Sequence, residues 1–311
     1  MRISETVKLL RSKDDFLLLT HKNPDGDTLG SAAALCSALR RAGKTAYLFP
    51  NSEMTEKYRE FAAPYHAPAD YRAAFTVAVD VASTSLFPPG FSGPVDFCID
   101  HHPSNTHYAP KSLIVPSKAS CGEIVLQLIK ALNGDVTAEE ADLLYVAVST
   151  DCGCFVYSNT KADTLRAAAE LLECGADNQR LNVKLFRKVS RARMKLEGMI
   201  YSGMEFFRGG KISLATITQR MLREAGATEE DLDDISGLSG RADGALLCIT
   251  IREQPGGESR VSLRSMPEVD CSAICSVFGG GGHAMAAGCT ISSPPEKAKR
   301  MLLDVIDEVW K

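Results

Sequence analysis

The sequence predicts an α/β protein with a mainly parallel-sheet N-terminal domain and a smaller α/β C-terminal domain, joined by a helical linker. Three observations predict it. Short apolar runs alternate with segments of helical spacing over residues 1–190, the pattern of repeated βαβ units. Two of these runs, Phe75-Thr-Val-Ala-Val and Val95-Asp-Phe-Cys-Ile, each end on an aspartate, Asp80 and Asp100. From residue 208 the character shifts to strand-like runs, two of them joined by a Pro-Gly-Gly hairpin.

Taken in order, residues 1–12 read as a helix and 14–20 as the first strand. Residues 26–42 carry Ala, Leu and Cys at helical spacing and stop at Gly43, a suitable C-terminal cap. A second strand is expected at 44–49, a short helix at 53–62, and strands at 75–80 and 95–100. Helices follow at 120–132, 137–150, 160–174 and 178–189. Residues 191–207 read as one long helix with basic groups near its start, bridging to the second domain at 208–311. There, strands are expected at 211–216, 244–251 and 259–265, with helices at 228–235, 270–277 and 295–309.

The 311-residue length is ample for two cores. A net charge of −4, from 35 basic and 39 acidic residues, argues against a protein that grips long nucleic acid by charge. A nucleic-acid substrate is therefore expected to be short and held by a few Arg or Lys residues. No apolar run approaches about 18 residues and no secretory signal is read, so a cytoplasmic chain without a membrane span is expected. The ten cysteines are then expected as free thiols, several as small hydrophobes. Cys152 and Cys154 are too closely spaced for a zinc knuckle, and Cys271 with Cys275 lacks a second pair.

The chemistry concentrates in four acidic stretches. Thr20-His-Lys-Asn-Pro-Asp-Gly-Asp27 puts His21, Asp25 and Asp27 at i, i+4 and i+6 on a strand-to-helix turn. Asp80 ends one strand, Asp100-His101-His102 ends another, and Asp151 sits in Ser149-Thr-Asp-Cys-Gly. Each alone has a bland alternative: Asp27 or Thr28 as a helix cap, Asp80 or Asp151 as a turn residue, the histidines as surface groups. Together they aim acids and imidazoles at the carboxyl edge of one sheet, where α/β folds bind ligands. Collected there, the carboxylates repel and their pKa values rise unless cations lie between them. Four ligating aspartates balance two divalent cations, and ligation by carboxylate and imidazole without thiol suits Mn²⁺ first and Mg²⁺ second.

In this order the four motifs resemble those of the DHH phosphoesterase superfamily, over about the first 155 residues. The resemblance implies one cation on His21, Asp25 and Asp80, and a second on Asp27, Asp80, His101 and Asp151, with Asp80 as the bridge. It further implies that His102 faces the substrate phosphate and that Asp100 orients the neighbouring imidazoles. Many relatives carry Thr after the fourth-motif aspartate and Arg shortly beyond, where this chain has Cys152 and Val156. The ligand set is whole; substrate contacts near that loop are where the chain departs.

Phe278-Gly-Gly-Gly-Gly-His283 is the second strong signal, because a run of glycines is entropically costly unless unusual dihedrals or close approach require it. It is expected as a loop whose amides cradle an anion, with a surface loop as the bland alternative. The stretch resembles the glycine-histidine motif of the DHH-associated domain. That resemblance implies that Arg264, Gly280, Gly281, Gly282 and His283 bind a nucleotide, in a cleft between metal and nucleotide walls. Family II pyrophosphatases lack this motif and RecJ exonucleases are longer. Domain order and length resemble the oligoribonucleases of NrnA type, which degrade very short RNA and remove the 3′-phosphate of 3′-phosphoadenosine 5′-phosphate. A cyclic or linear dinucleotide phosphodiesterase is the nearest alternative, and a non-catalytic nucleotide-binding regulator the alternative of another class. A homodimer is implied by resemblance alone.

Overall fold

A computed structural model describes residues 1–233 and 235–310. The chain divides into two compact units, Met1–Lys188 and Val189–Lys311.

In the first unit β1 (Phe16–Leu19), β2 (Ala46–Leu48), β3 (Phe75–Val79), β4 (Phe97–Asp100) and β5 (Lys111–Ile114) form an all-parallel sheet in the order β2-β1-β3-β4-β5. Residue alternation divides the strands between two cores. Phe16, Leu18, Val77, Val79, Phe97 and Ile99 join the main core with the helices, whereas Leu19, Ala78 and Cys98 join a smaller one under Phe49, Phe87, Phe91 and Tyr108. Burial on both faces explains why these strands read as continuous apolar runs. The helices are α1 (Ile3–Arg11), α2 (Gly26–Arg41), α3 (Glu56–Ala62), α4 (Cys121–Asn133), α5 (Ala138–Asp151), α6 (Ala162–Glu173) and α7 (Asn178–Asn182). Local chemistry sets their starts: Ser120 caps α4 by accepting from the Glu123 amide, and Thr137 with Glu140 forms a reciprocal capping box on α5. The β5 strand is absent from the sequence reading because Lys111-Ser-Leu-Ile is an edge strand with one buried side chain.

The second unit holds α8 (Arg191–Ser202), β6 (Glu205–Phe207), β7 (Ile212–Ile217), α9 (Gln219–Ala225), β8 (Leu247–Glu253), β9 (Ser259–Ser265), α10 (Cys271–Ser276), β10 (Gly281–His283), β11 (Ala286–Ile291) and α11 (Pro295–Val309). Its sheet runs β10-β11-β9-β8-β7-β6, antiparallel except at β7 and β8. Helices α10 and α11 cover one face through Ile274, Ala298, Leu302 and Ile306. On the other, Leu196 and Ile200 of α8 pack with Ala215, Ile217 and Leu222, so the helix read as a bridge contributes to this unit's core. It stops at Gly203, whose amide bonds the Met199 carbonyl, and the rest of the expected helix becomes β6. Of the helix expected at 228–235, Glu229–Leu232 forms a short 3₁₀ helix and residue 234 lies outside the described residues, while the unexpected α9 is bounded by its Thr218 cap and left-handed Gly226. At the end of the chain Arg208 lies over the Trp310 ring, 5.0 Å from its centroid. Among the described residues no helix is long and apolar enough to cross a membrane.

Gly30 is where α2 meets α5: a Cβ there would lie 2.4 Å from the Leu143 carbonyl oxygen and 3.0 Å from the Ala147 nitrogen. Backbone atoms cannot swing aside, so Gly30→Ala is expected to cost about 1–3 kcal/mol through overpacking. Gly198→Ala, in open space within α8, is expected to gain up to about 1 kcal/mol from helix propensity. Urea denaturation of the two variants checks the opposite signs.

Candidate metal centre

The strand order places a topological switch point between β1 and β3, where consecutive connections leave in opposite directions and a crevice opens at the carboxyl ends. Three strands deliver acids and imidazoles to that edge. His21 follows β1, Asp80 follows β3, and Asp100 ends β4 with His101 and His102 behind it. Asp25 and Asp27 open α2, and Asp151 ends α5. All eight of these sequence-predicted residues lie in the first unit, and seven of them, all but Asp100, form three potential chelating trios. These are His21, Asp25 and Asp80; Asp27, His101 and Asp151; and Asp80, His101 and His102, each with its ligand atoms within 4.8 Å of one another.

The distances have the character of ligands awaiting a shared ion. His101 Nε2 lies 3.5 Å from Asp80 Oδ1, 3.7 Å from Asp27 Oδ2 and 3.8 Å from Asp151 Oδ2. His21 Nε2 lies 3.5 Å from Asp25 Oδ1 and 3.9 Å from Asp80 Oδ2. These separations are too long for good hydrogen bonds and suit donors that each reach about 2 Å to a common cation. Asp80 Oδ1 and His101 Nε2 are buried with no hydrogen-bond partner among the described residues. Orphaned buried polar atoms are costly, so their pairing across this gap fits a cation. Imidazole orientation fits too: Nδ1 of His21 donates to the Lys22 carbonyl at 2.8 Å and Nδ1 of His101 to that of Lys118 at 3.3 Å, so that in the neutral ring Nε2, facing the carboxylates, is the nitrogen free to bind a cation.

The surrounding shell is specific. Asp27, fully buried, accepts from the Cys121 amide at 2.7 Å, the Gly122 amide at 3.0 Å and Ser31 Oγ at 3.0 Å, which seats it on the amino end of α4. Asp25, rather than Asp27 or Thr28, caps α2, accepting from the amides of Asp27 and Thr28. Asp100 spends both oxygens internally, accepting from the His101 and His102 amides, His102 Nδ1 at 2.8 Å and Asn105 Nδ2 at 2.6 Å. The Nδ1 proton of His102 is thereby committed, although that nitrogen also lies 3.4 Å from Asp80 Oδ1. Asp80 adopts a left-handed φ of 61°, which turns the chain sharply at the strand end.

Charge follows from this packing. Burial pushes the Asp27 carboxyl well above the usual range, and Asp80, Asp151 and Asp25 add to it. Burial likewise takes Asp151 up to about 6, with Asp80 and Asp25 adding against the pull of His101. Burial disfavours a charge on His21, but Asp25, the Lys22 carbonyl and Asp80 outweigh it and raise its pKa to about 9. His102, hydrogen-bonded by Asp100 and flanked by Asp80, is raised to about 11. Burial also works against ionised Asp100, yet its hydrogen bonds from His102 and Asn105 hold it below the ordinary value.

In the second unit the glycine run is not a free loop. Gly281, Gly282 and His283 form an edge strand against Gly288, Ala287 and Ala286, and a Cβ on Gly280 would lie 2.3 Å from the Gly288 carbonyl oxygen. Arg264 pairs with Ala286, which pairs with His283, so Arg264 and His283 stand in line across three strands. Both are exposed, beside an open hollow of about 760 Å³ that Arg264, Phe278, Gly280 and Gly281 help to line. Sequence reasoning missed Asn105, Ser31 and the amides of Cys121 and Gly122; only Asn105, three residues after the Asp-His-His turn, left a signal there. Of the two departures, Cys152 is buried and Val156 is 81% exposed.

Comparison with known proteins agrees with the order of these elements. Residues 15–148 match the DHH family, N-terminal domain, and residues 212–311 match the DHHA1 domain. The bifunctional oligoribonuclease and PAP phosphatase NrnA of Thermus thermophilus is 34% identical over 98% of this chain and 93% of its own length. An exopolyphosphatase-related protein from Bacteroides fragilis superposes with a TM-score of 0.86 at 20% identity, over 98% of this chain and 96% of that one. RecJ of Thermus thermophilus, solved with Mn²⁺, shares the fold with a TM-score of 0.53 at 14% identity, over 98% of this chain and 54% of that one. Both matched domains, in that order, and a similarity running from end to end of the chain make it a member of the DHH family.

Proposed function

We propose that this chain is a phosphoesterase dependent on two divalent cations, Mn²⁺ before Mg²⁺, that hydrolyses oligoribonucleotides of a few residues to mononucleotides. It is also proposed to remove the 3′-phosphate of 3′-phosphoadenosine 5′-phosphate. The observation that carries this reading is the pair of buried, unpartnered ligand atoms, Asp80 Oδ1 and His101 Nε2, inside a ring of carboxylates. The relative at 34% identity bears both activities in its name.

In this reading His21, Asp25 and Asp80 would hold one cation, and Asp27, Asp80, His101 and Asp151 the other. The spacing supports Asp80 as the bridge, since its Oδ2 is the oxygen near His21 and its Oδ1 the one near His101. When bound, such a pair supplies a water acidic enough to attack phosphorus and offsets charge on the phosphoryl oxygens. His102, its Nδ1 proton accepted by Asp100, would in its protonated form donate from Nε2 to a phosphoryl oxygen as charge grows there. Asp100 holds that ring by accepting its Nδ1 proton, and Asn105 fixes Asp100. In the second unit Arg264, His283 and the edge amides of Gly280, Gly281 and Gly282 bind the nucleotide.

Purified protein with Mn²⁺ is expected to convert a linear diadenylate to AMP faster than it opens cyclic diadenylate or splits pyrophosphate. Asp80→Asn is expected to lower kcat by about 10³-fold or more. An inert wild type, or a fully active variant, refutes the assignment.

His283→Ala is expected to raise KM for a dinucleotide more than it lowers kcat, the mark of lost uniform binding, and steady-state kinetics on linear diadenylate checks it.

Cation removal gives a pH test. In metal-free protein Asp151 keeps a proton up to about pH 6 that the unfolded chain releases near the ordinary 3.8. The folded state then binds more protons than the unfolded, so stability falls as pH rises through that window. Asp151→Asn is expected to flatten the fall in EDTA. Mn²⁺ at about 100 times its Kd is expected to stabilise the wild type by about 2.7 kcal/mol. Thermal melts across pH 4–7 measure both.

A further inference from the structure

We propose that the nucleotide site continues along β9, where Arg260 holds a phosphate of a further nucleotide in oligoribonucleotides longer than two residues; this rests on the reading of Arg264 and the glycine strand as the nucleotide-binding wall. One face of the second unit's sheet is covered only in part. Helices α8 and α9 cover it over β7, and the Ile235–Arg241 segment closes it at β8, where Thr250 is buried and bonds Ser236 and Ser239. Over β9 and β11 no described element of the second unit packs on it. Arg260, Ser262 and Arg264 alternate with the buried Val261 and Leu263, so all three stand on the open face.

The floor in front of them is made of small residues. Ser262 is paired with Gly288, and Arg264 with Ala286, which leaves room for a chain to lie across the strands. The hollow of about 760 Å³ beside the glycine strand reaches Arg260, and a second of about 170 Å³ also includes Arg260 and Ser262. The two hollows thus adjoin through the same pair of residues. The first lies high in the range of about 300–1,000 Å³ that suits a small ligand, leaving space beyond one nucleotide.

Charge favours a phosphate at this point. Arg252, the register partner of Arg260, gives its guanidinium to both oxygens of Glu229, the longer contact being 2.6 Å. The Arg260 guanidinium has neither a hydrogen bond nor an ion pair among the described residues, and that of Arg264 reaches only its neighbouring Leu263 carbonyl. Two uncompensated planar cations therefore rise from one strand four residues apart, about 13 Å along it. At that spacing they serve separate phosphates of an extended strand, and arginine is suited to each.

The test compares KM for linear adenylates of two, three and four residues, with Mn²⁺, in wild type, Arg260→Gln, Arg260→Lys and Arg264→Gln. Arg260→Gln is expected to raise KM about tenfold for the tri- and tetranucleotide and several times less for the dinucleotide, with Arg260→Lys between. Its plot of log KM against log salt is expected to lose about 0.7 in slope for the trinucleotide, one single-strand phosphate contact. A KM rise equal at every length, or none at any length, overturns the subsite. Wild-type KM for every adenylate in Arg264→Gln overturns the reading on which it rests, a result distinct from either outcome at Arg260.

Discussion

Carboxylates crowded at the carboxyl rim of a parallel sheet repel one another, and the first unit is arranged around holding them there. Asp27 is the extreme case, without solvent exposure and close to Asp80 and Asp151. Three donors from α2 and α4 satisfy it: the Ser31 hydroxyl and the amides of Cys121 and Gly122. The amino end of a helix favours negative charge, so α4 serves the site as much as the core. Asp100 shows the complementary solution, with every contact a donor and its carboxylate held ionised. One acid is thereby left under electrostatic pressure while another is neutralised locally, and the two take different parts: one in the ring, one behind it.

That division depends on the sheet order. With β1 and β3 adjacent and their connections departing oppositely, the turns after both strands face the same crevice. The Thr28 hydroxyl ties them by donating to the Val79 carbonyl at 2.8 Å, and Asn51 holds the His21 carbonyl from the β2 side at 2.9 Å. These contacts fix the backbone on which His21 and Asp80 ride. Holding reactive side chains on strand ends, with loops tied by such bonds, is how an α/β fold gains precision that a flexible loop does not have.

Legibility in the sequence followed the strength of local signals. Strands β1, β3 and β4 were legible because burial on both faces makes them apolar throughout, and α4 and α5 as segments of helical spacing that follow them. The converging residues were legible from motif spacing and order. Asn105 and Ser31 were harder to find, since a single polar residue carries no periodicity and acts only through contacts made in three dimensions. The Arg191–Ser202 helix continued too far in the sequence reading because Gly203 was passed over, and β5 was lost because an edge strand buries too little to mark itself. The glycine run concealed its pairing: without side chains there is no alternation to read, and only the ladder to Ala286, Ala287 and Gly288 reveals a strand.

The Arg208–Trp310 clasp has a practical side. Trp310 is the only tryptophan in the sequence, and it belongs to the second unit, its ring beneath the Arg208 guanidinium. Indole emission from the unlabelled chain therefore originates wholly in the DHHA1 part, an intrinsic optical probe of one half of the molecule.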